Sequence, residues 1–84
     1  MMPPEEIAKY LDKRPFDPFR IYLTDGTVYE IRHPELLFLG RRSAQVGFTS
    51  KNGGHRPTYE RVAEFSLLHV VRLEPIAAAN TTET

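Results

Sequence analysis

The stretch that decides the fold is FRIYLTDGTVYEIR, residues 19–32. Phe19, Ile21 and Leu23 alternate with Arg20, Tyr22 and Thr24. Beyond Asp25-Gly26, Tyr29 and Ile31 alternate with Val28, Glu30 and Arg32. Period-two alternation on both sides of an Asp-Gly pair predicts a β-hairpin. Loop length then follows from burial. A two-residue Asp25-Gly26 turn would set Ile21 opposite Glu30 and Phe19 opposite Arg32, a core face against charges. A three-residue loop of Thr24, Asp25 and Gly26 pairs Leu23 with Thr27, Ile21 with Tyr29 and Phe19 with Ile31, and leaves Arg20 facing Glu30 on the outer side. A one-residue slip turns every side chain over, so the second register is expected. It requires a type I turn followed by Gly26 at positive φ in a bulge.

Working outward, residues 3–13 read as a short helix. Pro3 and Pro4 suit its first turn, and Glu5 and Glu6 suit its positive dipole end. Ile7, Tyr10 and Leu11 form a single apolar stripe, and Pro15 ends the helix near Arg14. Phe16, in the stiff two-proline connector, is expected to plug the core between helix and first strand.

After the hairpin, His33-Pro34-Glu35 interrupts the second strand, since proline cannot donate to a ladder, and a bend, bulge or break is expected there. Leu36-Leu37-Phe38-Leu39 then resumes that strand and reads as buried on both sides. Gly40-Arg41-Arg42-Ser43 is a turn. Ala44, Val46 and Phe48 mark a third strand, and residues 49–58 a loop rich in turn formers. Residues 59–65 form a fourth strand, with Tyr59, Arg61, Ala63 and Phe65 on one face and Glu60, Val62 and Glu64 on the other. Ser66-Leu67-Leu68-His69 reads as a 3₁₀ turn and residues 70–73 as a fifth strand stopped by Pro75. The expectation is a mainly β (α+β) domain over residues 1–75: one helix on a bent five-stranded antiparallel sheet or small barrel. Residues 76–84 are expected to be a flexible tail.

The totals narrow the function. Eighty-four residues allow one domain. A chain of that length buries roughly 60–65% of its unfolded surface, so its core is small. It has no cysteine, hence no disulfide or thiolate chemistry. No apolar run approaches a membrane span and the first residues do not resemble a signal peptide, so a cytoplasmic location is expected. Net charge is zero, yet Arg41, Arg42, Lys51, Arg56 and Arg61 against Glu60 make the middle third basic.

The order of elements, together with Ile-x-Leu-x-Asp-Gly at Ile21 to Gly26, resembles small barrels of the Sm-like and SH3-like class. That resemblance implies open edges, because the Sm-like class assembles into rings through its fourth and fifth strands. Its nucleotide pocket uses Asp or Asn after the second strand and Arg or Lys before glycine ahead of the last. Here those places read Gly40-Arg41-Arg42-Ser43 and Phe65-Ser66-Leu67, so no pocket residue transfers. The chain also resembles a group of small uncharacterised bacterial proteins through Arg14-Pro15-Phe16, Pro18-Phe19-Arg20, Leu23-x-Asp25-Gly26, His33-Pro34-Glu35, Gly40-Arg41-Arg42 and Ser66-Leu67-Leu68-His69. That likeness implies a fold and no activity.

Candidates for chemistry are few. His33, His55 and His69 lack the spacing of a metal site; His33 fits a turn and His69 a half-buried cap. Glu60 and Glu64 show no sign of the shared cleft that an acid–base pair needs. Asn52-Gly53-Gly54 lacks the ending and setting of a phosphate loop. No cofactor and no catalysis is expected. Two binding modes remain. Strands 59–65 and 70–73 can pair with a protein partner or with a second copy through an exposed edge. Alternatively Arg41, Arg42, Lys51, Arg56 and Arg61, with Tyr59 and Phe48 as stacking faces, can hold single-stranded RNA or DNA. The competing explanation for those charges is solubility at turns.

Overall fold

The computed structural model describes residues 1–49 and 59–76. One helix, α1 (Pro4–Asp12), precedes six strands: β1 (Phe19–Leu23), β2 (Val28–Ile31), β3 (Leu37–Leu39), β4 (Ser43–Thr49), β5 (Tyr59–Ser66) and β6 (Val70–Pro75). They form two three-stranded antiparallel sheets, ordered β2-β1-β6 and β3-β4-β5.

The hairpin has the expected register. Phe19 pairs with Ile31, Arg20 with Glu30 and Ile21 with Tyr29. Gly26 N–H donates to the Leu23 carbonyl at 3.0 Å, Leu23 N–H donates to Thr27 O at 2.9 Å, and Gly26 sits at φ +91°. The positive φ lets β2 start one residue later, which places Phe19, Ile21 and Ile31 together in the interior, all fully buried.

The five-stranded expectation is corrected. The interruption at Pro34 is a full break into two strands, β2 and β3, so the described residues hold six strands in two sheets, and neither sheet closes into a barrel. A 3₁₀ turn, Pro34–Leu36, stands between them. Leu36 N–H donates to His33 O at 3.1 Å and Leu37 N–H to Pro34 O. Pro34 occupies the first position of that turn, where no donor is required. Nor is the segment buried on both sides: Leu37 is 5% exposed, but Phe38 is 49% exposed on the outer face.

The helix packs its stripe as expected. Ile7 is buried, and Tyr10 and Leu11 lie against the core. The Tyr10 ring is 5.0 Å from Phe19, and Phe16 meets Phe19 edge-on at 6.1 Å, so helix and connector cap one aromatic centre. Across the inter-sheet gap, Tyr29 of β2 stacks on Phe65 of β5 at 5.4 Å.

Ile76 belongs to the core at 7% exposure, and its N–H donates to Pro18 O at 2.9 Å. Residues 77–84, the rest of the expected tail, lie outside the described residues. Pro75 does not stop β6 early but ends it, paired with Phe19. The Pro18–Ile76 bond makes that couple a bonded pair, so by antiparallel alternation the Pro75 nitrogen faces away from β1 and costs the ladder nothing.

Candidate interaction edge and inter-sheet cleft

β5 pairs with β4 along its whole length and, among the described residues, with no strand on its other side. Which backbone groups are free follows from the ladder. Ser43 pairs with Ser66, and Leu67 N–H donates to Arg42 O at 2.8 Å. Arg42–Leu67 is therefore a bonded pair, and alternation assigns the bonds to Ala44–Phe65, Val46–Ala63 and Phe48–Arg61 as well. Val62, Glu64 and Ser66 consequently point their N–H and C=O groups away from β4. Glu60 falls at the bulge where the register shifts between Phe48 and Thr49. Their side chains lie on the outer face, where Val62 is 52% exposed.

β6 is the other open edge, and it is blunter. Ile21 pairs with Leu73 and Tyr22 with Arg72, but Leu23 pairs with Val70, so Val71 is an extra bulged residue. Arg72 and Glu74 direct their backbone to β1. In the regular part of β6 only Leu73 offers an outward N–H, because Pro75 has none.

The outer face of β2-β1-β6 is laced with ion pairs. Arg20 Nε reaches Glu30 Oε2 at 3.1 Å, the cross-strand pair expected from the hairpin register, and Arg32 reaches Glu30 at 2.9 Å. Tyr22 OH donates to Glu74 at 2.9 Å, and Arg72 both pairs with Glu74 at 3.0 Å and lies 3.8 Å over the Tyr22 ring. Hydrogen bonds from Arg20 and then Arg32 hold the Glu30 carboxyl below the usual carboxylate range; those from the Tyr22 hydroxyl and Arg72 do the same for Glu74. These charges are mutually satisfied, so this sheet face is a solvated surface rather than a docking patch.

A cleft of about 360 Å³ opens between the hairpin tip and the end of β5, lined by Leu23, Thr24, Asp25, Tyr29, Phe65 and His69 among others. The sequence gives no hint of it, because Thr24 and His69 meet only once β6 pairs with β1. Thr24 N–H then donates to His69 O at 2.9 Å, and Thr24 Oγ1 lies 3.3 Å from His69 Nδ1. His69 is exposed, not the half-buried cap expected; Ser66 does the capping, accepting from Leu68 N–H at 3.1 Å. Asp25 accepts Thr27 N–H at 2.9 Å, and that bond first, with the Thr27 hydroxyl next, lowers its pKa. The side chains of Thr24, Asp25, Ser66 and His69 on the cleft's rim thus each have a local structural partner. Among the described residues no three acidic or histidine side chains gather as metal ligands.

The basic residues do not form one cluster among those described. Arg41 and Arg42 are exposed at the β3–β4 turn. Arg61 lies six residues along β5 from the partner of Arg42, about 20 Å away at strand rise. Its guanidinium sits 4.0 Å over the Phe48 ring, so that ring face is taken by Arg61 rather than left for a base. Lys51, Arg56 and the Tyr59 side chain lie outside the described residues. No helix among the described residues is long and apolar enough to cross a membrane. Set against known proteins, the chain matches no family model, no curated protein and no solved structure.

Proposed function

We propose that this protein is a non-catalytic assembly module that accepts an added β-strand along the outward edge of β5. One observation carries the reading: a regular strand run with three successive outward N–H groups, at Val62, Glu64 and Ser66, and an apolar side chain exposed beside them. Such an edge is a template for strand addition, in which main-chain hydrogen bonds supply affinity. The strand order supports the Sm-like or SH3-like likeness. Joining β2 and β3 across Pro34–Leu36 would give β6-β1-β2/β3-β4-β5, a five-stranded order with both ends open.

The test is Val62→Pro. Val62 N–H takes no part in the β4 ladder, so the proline deletes an outward donor without removing a bond from the sheet. Light scattering of the wild type at rising concentration, or with a peptide of sequence YERVAEFS, is expected to show a complex that the variant does not form. A variant that assembles like the wild type, while keeping its near-ultraviolet dichroism, contradicts the reading.

Single-strand nucleic acid on Arg41, Arg42 and Arg61 is the second reading, supported by their exposure at two ends of the β4–β5 ribbon. It requires oligonucleotide retention that falls steeply with salt. No retention at low salt removes it.

A further inference from the structure

We infer that the strand added to β5 is the β5 of a second copy, antiparallel to the first about a two-fold axis at Ala63. The inference rests on β5 being an addition edge, as proposed above. Pairing β5 of one copy with β6 of the next would meet a single regular outward N–H, at Leu73, beside a bulge and a proline. Two β5 edges bring three outward N–H groups each. The self-complementary contact also closes after two copies, whereas a head-to-tail contact must close a ring or run on.

Charge selects the register. Outward groups must face outward groups, so the two-fold axis falls on residue 62, 63 or 64 for any contact of useful length. On 62, Glu60 faces the second copy's Glu64 twice over. On 64, Glu64 faces itself. Like charges directly opposite are destabilising in a sheet. On 63, Val62 faces Glu64, Arg61 faces Phe65 and Ala63 faces itself, with no like charges opposed. The carboxylates at 60 and 64 thereby forbid the neighbouring slips, which is how an edge can be guarded against indiscriminate pairing yet admit one partner. The product is one continuous sheet, β3-β4-β5-β5-β4-β3, across two molecules.

The chain has no cysteine, so engineered thiols report the axis directly. At Ala63 the two copies would form a non-bonded pair with Cα atoms ~4.5 Å apart, within disulfide reach, whereas the two Val62 residues would stand ~7–8 Å apart, beyond it. Under mild oxidation Ala63→Cys is expected to give covalent dimer at least ~10-fold faster than Val62→Cys, and Val62→Pro added to Ala63→Cys is expected to abolish it. Circular dichroism confirms that each variant folds. Faster cross-linking at Val62 overturns the register. Failure of both thiols, while wild-type amides at Val62, Glu64 and Ser66 gain exchange protection from the YERVAEFS peptide, overturns self-pairing and leaves the edge reading intact. Failure of both with no such protection overturns the edge reading as well.

Discussion

Gly26 and Asp25 show how much one turn decides. Register could be read from the sequence because only one loop length keeps Ile21 and Phe19 off the charges of β2, and that loop needs a residue at positive φ. A Cβ on Gly26 would meet nothing within 4 Å, so the strain of an alanine there is purely one of backbone. Gly26→Ala is expected to cost about 1–2 kcal/mol in denaturant unfolding, with hairpin packing unchanged. The three carboxyls held low, Asp25 by Thr27, Glu30 by Arg20 and Glu74 by Tyr22, titrate below their open-chain values. Their contribution to stability is complete above the usual carboxylate range and is lost as pH falls through the depressed values. The thermal midpoint is therefore expected to be flat near neutrality and to drop on acidification, and Glu30→Gln is expected to shrink that drop. The same residue-level reading missed the meeting of Thr24 with His69, because nothing local encodes which strand β6 joins.

Among the elements, α1 was legible from Ile7, Tyr10 and Leu11, whose spacing leaves one buried stripe. Ile7→Ala is expected to cost about 2–4 kcal/mol. Because a nine-residue helix is not stable alone, its amides should lose exchange protection ahead of the sheets. The break between β2 and β3 was not decidable from sequence. A proline that bends a strand and one that starts a 3₁₀ turn both avoid donating to a ladder, and the choice was made by the His33 and Pro34 carbonyls finding partners in Leu36 and Leu37. Phe38 was misjudged because a run of four apolar residues hides the alternation that places every second one outside. On β5, alternation matches the faces of residues 61–65. The direction of its free backbone groups is a different property, fixed by the Leu67–Arg42 bond and visible only in the ladder.

At the scale of the molecule, two small sheets share one core and leave their outer rims unjoined. One rim, at β6, is closed off by a bulge and a proline; the other, at β5, keeps a regular row of donors. The outer face of β2-β1-β6 balances its charges internally, and among the described basic residues Arg41 and Arg42 stand apart from Arg61 along the β4–β5 ribbon. A bent five-stranded sheet or small barrel is the expectation from sequence; the 3₁₀ turn at Pro34–Leu36 instead divides the strands into two sheets. Which of the two edges keeps its outward donors could not be read from the sequence, since that depends on the ladder each strand makes with its neighbour. The measurement that bears most directly on β5 is amide hydrogen exchange followed as protein concentration rises, alongside molecular mass. The expected result is a mass that doubles while the amides of Val62, Glu64 and Ser66 become protected together. A mass that doubles with those three amides still exchanging freely, or a chain that stays monomeric with them unprotected at millimolar concentration and in the presence of the YERVAEFS peptide, would contradict it.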